Sequence, residues 1–214
     1  MNNTLFNIHK DKRCFILGGG ESIKEWTAKG INFKKIIDNE ITFGMNKSYK
    51  LGGTSTYHVV FDLPYFESDK DNLLALNTHF FFTITITNKH PELEQYSLKP
   101  SKVKTMARNT TDNGIYYGRS SGYIALNMAQ LMGCNPIYMI GFDLEGGHFH
   151  EGYGEAAQKK LPRDHKVIES ELRKGIAQIK HKVKIISLSS ISKLNDIIEY
   201  DPTVLKEYTE VEVN

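Results

Sequence analysis

Two short runs, far apart in the chain, constrain its fold more than any other feature. One is Cys14-Phe15-Ile16-Leu17, closed by Gly18-Gly19-Gly20-Glu21-Ser22. The other is Pro136-Ile137-Tyr138-Met139-Ile140, closed by Gly141-Phe142-Asp143. Neither run alternates polar with apolar residues, and each stops at glycine before the chain turns polar. Strands of this kind are buried on both faces, as in a parallel sheet, and their C-terminal ends open into a ligand crevice.

The intervening chain fills in the pattern. Strands are predicted at 13–18, 41–44, 57–61, 80–87, 136–140 and 183–188. Helices are predicted from Ser22 to Lys29, Glu67 to about Asn77, Ser121 to Met132, His165 to Lys180 and Ser192 to Ile198. Ser22 followed by Glu25 has capping-box spacing, and Gly133 closes the third helix. Residues 88–118 read as irregular, 144–164 as a flexible glycine-containing lid, and the last dozen as fraying. Alternating strands and helices imply an α/β fold: a single Rossmann-like domain over 1–214, mainly a parallel sheet with helices on both faces.

Composition excludes some classes. A net charge of +2 with 24% charged residues gives no basic surface for nucleic acid or membrane. No stretch approaches the ~18 apolar residues of a membrane span. The amino-terminal residues lack the basic-then-apolar order of a secretory signal. Cys14 and Cys134 stand in apolar contexts and read as buried free thiols of a reducing compartment. The expectation is a cytoplasmic protein.

Several residues could carry chemistry. Gly18, Gly19, Gly20 and Ser22 let backbone approach a phosphorylated ligand at a helix start, though a tight strand-to-helix turn would read alike. Asn46 and Asp62 follow strand ends, where turn formers also sit. Arg119-Ser120-Ser121-Gly122 places a cation and two hydroxyls at a helix N-terminus, which is equally a plain cap. His148-x-His150 after Asp143 has ligand types suited to Zn or Fe, but the spacing matches no strong pattern, so no metal site is assigned. His165, at a helix start after the lid, titrates near neutrality and suits a general base.

The order of these pieces resembles the bacterial sialyltransferases that use CMP-sialic acid, glycosyltransferase family 42, and the broader 6-hydroxymethylpterin diphosphokinase-like domain proteins. The family's G-x-G-P-S-L turn compares with Gly18-Gly19-Gly20-Glu21-Ser22-Ile23. Its Asn after the next strand compares with Gly44-Met45-Asn46, and its F-Y-N-P with Phe61-Asp62-Leu63-Pro64. Its R-x-T-S-G helix start compares with Arg119-Ser120-Ser121-Gly122, and its G-x-x-x-I-Y-L-x-G-I-D-F strand with Gly133 to Leu144. Its catalytic His compares with His165.

The resemblance implies that the glycine turn, Asn46, Asp62, Ser121 and Gly122 contact a nucleotide-sugar donor, with His165 as the base. The family's phosphate-binding tyrosines are replaced here by Glu145 and Pro162, and Tyr153 is the candidate substitute. Glu21 stands where the family has Pro. Three functions follow. The first is a CMP-type glycosyltransferase without cofactor. The second is a nucleotide-binding or sequestering protein without turnover. The third is a phosphotransferase with Mg²⁺ on Asp62, Asp143 and Glu145. The implied partner is a nucleotide or nucleotide-sugar, and relatives of this kind often form homo-oligomers.

Overall fold

The computed structural model describes residues 5–106, 114–150 and 161–209. Its core is one eight-stranded sheet in the order β5-β4-β3-β2-β1-β6-β7-β8, parallel at every pairing. The strands are β1 (Cys14–Leu17), β2 (Ile41–Met45), β3 (Tyr57–Val60) and β4 (His79–Thr83), then β5 (Ser97–Leu98), β6 (Ile137–Ile140), β7 (Ile185–Ser187) and β8 (Glu199–Tyr200). The chain lays β2 to β5 outward from one side of β1, then returns to place β6 on the other side. Leu17 pairs with Gly44 on one flank and with Ile140 on the other. That reversal makes the β1–β6 end a topological switch point.

Side chains alternate across the sheet, so β1 feeds two cores. Cys14 and Ile16 join Phe43, Val59 and Phe81 under α5 (Ser121–Leu131) and α6 (Leu161–Ile179). Phe15 and Leu17 face α1 (Ser22–Ala28) and α2 (Phe33–Asn39). Further along that face, α3 (Leu63–Leu74) and α4 (Ile84–Lys89) cover Val60, Phe80 and Phe82. Helix α5 is buried along nearly its whole length, as its mostly apolar surface predicts. Trp26 of α1 donates its indole N–H to the Leu188 carbonyl at 2.6 Å, tying that helix to the end of β7.

Several sequence expectations change. The strand predicted over 80–87 ends at Thr83, and Ile84–Lys89 is helical. Its neighbour β3 pairs only as far as Val60 opposite Phe82, so the β-branched residues beyond have no ladder from β3 to join. Helix α3 begins at Leu63, before Glu67, because Pro64 fits its first turn. Helix α2 was not predicted; the Asn32 side chain caps it by accepting from Lys35 N at 3.0 Å, and Phe33, Ile36 and Ile37 are its buried stripe. Residues 192–198 form successive turns instead of a helix. The expected frayed end is in part a 3-10 turn, Thr203–Tyr208, that docks Val204, Leu205 and Tyr208 into the core. Ser22 is the first residue of α1 and not its cap. Cys14 and Cys134 are buried free thiols. Among the described residues no helix is long and apolar enough to cross a membrane.

The 203–208 turn is anchored by Arg13. Its guanidinium grips Glu40 in a two-pronged pair (2.7 and 3.1 Å), reaches Glu207 at 2.8 Å, and donates to the Tyr208 hydroxyl at 3.0 Å. Arg13→Ala should therefore cost roughly 1–3 kcal/mol. At roughly 2–4 °C per kcal/mol for a domain of this size, a melting curve would register it. Hydrogen exchange should quicken first at residues 203–208, and unchanged melting would mean the network contributes nothing.

Candidate active site

The strand ends at the β1–β6 switch open into a cleft of about 830 Å³, its mouth included. Each wall comes from a different element. The turn after β1 supplies Gly18, Gly19 and Gly20; the end of β2 supplies Met45, Asn46, Lys47 and Ser48; Asp62 follows β3. Arg119, Ser120, Ser121 and Gly122 stand at the start of α5. Phe142, Leu144, Glu145 and the strip His148–His150 follow β6, and α6 contributes His165 and Ile168. The fold thus gathers onto one cleft residues that are scattered along the sequence.

Close backbone packing makes the floor. A Cβ on Gly18 would lie 2.4 Å from the Gly141 carbonyl oxygen, well inside contact distance, so any side chain there would pry β1 from β6. The lid strip lies back over the same turn. Phe149 N donates to Gly19 O at 3.0 Å, and His148 Nδ1 lies 3.2 Å from that oxygen. The first residues of the predicted lid are therefore held against the glycine turn. Tyr153 falls outside the described residues.

Two predicted site residues stand behind the cleft wall instead of lining it. Asp143 is buried and accepts from Ser22 N (2.8 Å), Ser22 Oγ (2.5 Å) and Ser189 Oγ (2.7 Å). A carboxylate buried so deeply needs such donors, and these three occupy most of its acceptor sites. Ser22 spends its hydroxyl on this bond. Glu21 also lies outside the lining, with its carboxylate 3.7 Å from Lys24 Nζ.

Hydroxyls and backbone strain set the other walls. Ser120 caps α5 by accepting from Tyr123 N at 3.1 Å, and the helix N-terminus brings partial positive charge to the cleft. Ser121 Oγ accepts from Phe61 N (3.1 Å) and donates to Asn46 Oδ1 (3.4 Å), stitching β3, β2 and α5 together. Asn46, Arg119 and Leu144 all have left-handed backbone, with φ of 48°, 63° and 60°. Such conformations cost free energy in non-glycine residues and concentrate at functional sites.

The charges are sorted. Lys47 and Arg119 bring cations to the lining. Glu145 is paired with Lys193 at 2.5 Å. Asp62 keeps solvent contact, yet the surrounding walls desolvate it enough to raise its pKa, with Asp164 adding repulsion. His165 is half-buried and makes no hydrogen bond among the described residues. Burial pulls its pKa below 6.5, against the opposing pull of Asp164, Asp143 and Glu145, so the ring is neutral at pH 7. Burial likewise lowers His148, which stacks on His150 with ring centroids 5.0 Å apart. Among the described residues no three His, Cys, Asp or Glu side chains gather as a metal site would require.

Lys47, Phe142 and Phe149 were not predicted. Lys47 was within reach of sequence reasoning because it directly follows Asn46. Phe149 was not, since nothing local says that its strip folds back over Gly19.

No protein-family model matches the chain, and comparison with curated proteins finds no match. Solved structures do resemble it. The sialyltransferase CstII from Campylobacter jejuni, in complex with the substrate analogue CMP-3FNeuAc, has 15% identity and a TM-score of 0.54 over 94% of this chain and 89% of that one. A crystal structure of the sialyltransferase CST-II with a trisaccharide acceptor and CMP gives 15% identity and a TM-score of 0.53 with the same coverage. At this identity the likeness establishes a sialyltransferase-like fold.

The position of Asp143 has a direct consequence. Asp143→Ala strands three buried donors, which at roughly 1–3 kcal/mol each should cost at least about 3 kcal/mol of stability. A melting curve within a degree of wild type would contradict the structural role assigned to this carboxylate.

Proposed function

We propose that the protein is a glycosyltransferase-like enzyme. It binds a nucleotide-activated sugar of the CMP type in this cleft and transfers the glycosyl group with His165 as general base. The observation that carries the reading is convergence: the glycine turn, Asn46, Asp62, the α5 N-terminus and an unengaged neutral imidazole meet at one switch-point cleft. A fold shared with sialyltransferases solved in complex with CMP or a CMP-sugar analogue supports the same ligand class.

In this reading the donor phosphate lies against the α5 N-terminus, Arg119 and Lys47, where positive charge favours it. An acceptor hydroxyl approaches His165. As its oxygen bonds to the anomeric carbon, the ring takes its proton. The bond from that carbon to the phosphate oxygen breaks, and the nucleotide leaves with the electron pair. No covalent intermediate with the protein is needed.

The carboxylates bear on the phosphotransferase alternative. Asp143 is engaged by Ser22 and Ser189, and Glu145 by Lys193, so they do not form a ready cradle for Mg²⁺ beside Asp62. This arrangement favours the transferase reading.

Thermal shift with CMP and CMP-sugars is the primary test. Ligand at about 100 times its Kd should add about 2.7 kcal/mol without added metal. No shift with any cytidine nucleotide would overturn the donor assignment. His165→Ala should lower turnover about 10²–10⁴-fold while donor affinity stays within a few-fold. CMP binding without turnover in wild type would favour the sequestering reading instead. The neutral ring is the active form, so activity should rise with pH through a midpoint below 6.5 and then level off. A midpoint well above 6.5 would point to another base.

A further inference from the structure

We propose that His58 is a positioning residue for this cleft: from inside the sheet it holds Asn46 in its left-handed conformation, so that the Asn46 amide meets the ligand as a fixed hydrogen-bond donor. The group it would receive is acceptor-only, a phosphate or carboxylate of the ligand. That choice of ligand rests on the function proposed above, whereas the positioning rests on geometry alone.

His58 lies in β3, fully buried, opposite Gly44 of β2 and outside the cleft lining. Its Nε2 is 3.0 Å from the backbone oxygen of Asn46, and its Nδ1 is 3.3 Å from Ser55 Oγ. A carbonyl oxygen can only accept, so Nε2 carries the proton. Nδ1 is then bare and accepts from the Ser55 hydroxyl. Burial drives the ring's pKa down to about 4, so this single neutral tautomer persists across the physiological range.

Room for this arrangement comes from Gly44. A Cβ there would sit 2.4 Å from Ser55 Oγ, 2.6 Å from Ser48 Oγ and 3.0 Å from His58 Nδ1. Ser48 Oγ in turn accepts from Met45 N at 2.9 Å, so the end of β2 is pinned at two successive residues. The Asn46 side chain is oriented from the opposite side. Ser121 Oγ already accepts from Phe61 N, so its one proton goes to Asn46 Oδ1. The Nδ2 end, with two protons and no acceptor, is the end not taken by Ser121. An amide locked in this way favours an anionic group and rejects a donor, beside Lys47 and Arg119 of the same lining.

The test uses the whole protein with His58→Phe and His58→Gln variants. His58→Phe removes both bonds with a ring of similar shape, and His58→Gln keeps an N–H able to reach Asn46 O. Affinity for cytidine 5′-monophosphate should fall about tenfold in His58→Phe and return to within about threefold of wild type in His58→Gln. Equal affinity in His58→Phe and wild type would overturn the proposal. If wild type binds no nucleotide, the proposed function fails, and the backbone of Asn46 decides this proposal separately. Its amide coupling constant and carbon shifts, read by NMR in the unliganded protein, should move in His58→Phe and stay in His58→Gln. Unmoved signals in both would reject it. Should His58→Phe not fold, the ¹⁵N spectrum of the wild-type ring decides: an Nε2–H tautomer at pH 7 supports the role, and an Nδ1–H tautomer rules it out.

Discussion

Gly18 and Gly141 meet backbone to backbone at the end of the β1–β6 pair, where a Cβ on Gly18 would stand 2.4 Å from the Gly141 carbonyl oxygen. The rest of the site depends on that contact. Because β6 runs flush against β1, Asp143 reaches back to accept from Ser22 at the start of α1 and from Ser189 after β7. Because the chain after Asp143 then turns over the glycine turn, Phe149 and His148 meet Gly19 O. One close approach thereby sets the height of the cleft floor, the direction of α1 and the seat of the lid strip.

Electrostatics follow from this geometry. Asp143 accepts from three donors inside the wall, and its charge still reaches His165, where it opposes the lowering by burial. Glu145 reaches the lining, but Lys193 answers it. What faces a ligand is then Lys47, Arg119, the α5 N-terminus, the Asp62 carboxyl and imidazoles whose pKa values burial lowers. A neutral imidazole beside cationic groups can accept a proton while an anion is held nearby.

The sequence made much of the scaffold legible because burial on both faces leaves a plain signature. β1 and β6 read as uninterrupted apolar runs, and α5 as a helix apolar around most of its surface. Misreadings arose where local propensity and tertiary context part. Ile84-Thr85-Ile86-Thr87 is strand-like in composition, yet it lies beyond the last β3 partner and coils into α4. Ser192 looks like a helix start and Ser22 like an N-cap, but their hydroxyls are spent elsewhere: Ser192 donates to Phe142 O at 2.6 Å, and Ser22 to Asp143. A capping pattern reports what a serine can do, while the nearest strong acceptor decides what it does.

By itself, the sequence determined six of the eight strands, that they alternate with helices, and hence that the sheet is parallel, with a crevice expected at the strand C-termini. It also marked, one at a time, residues able to bind or react there: the glycine turn, Asn46, Asp62, the Arg119–Gly122 helix start and His165. Only the tertiary structure decided which of them share a cleft and which are held in its wall. Asp143 and Ser22 went to the wall, Lys47 and the His148–His150 strip joined the cleft, and buried His58 was placed against the backbone of Asn46. The physical reason is that hydropathy and backbone preference act over a few neighbouring residues. A hydrogen bond between residues as far apart as Ser22 and Asp143 exists only after the sheet has brought β1 and β6 together.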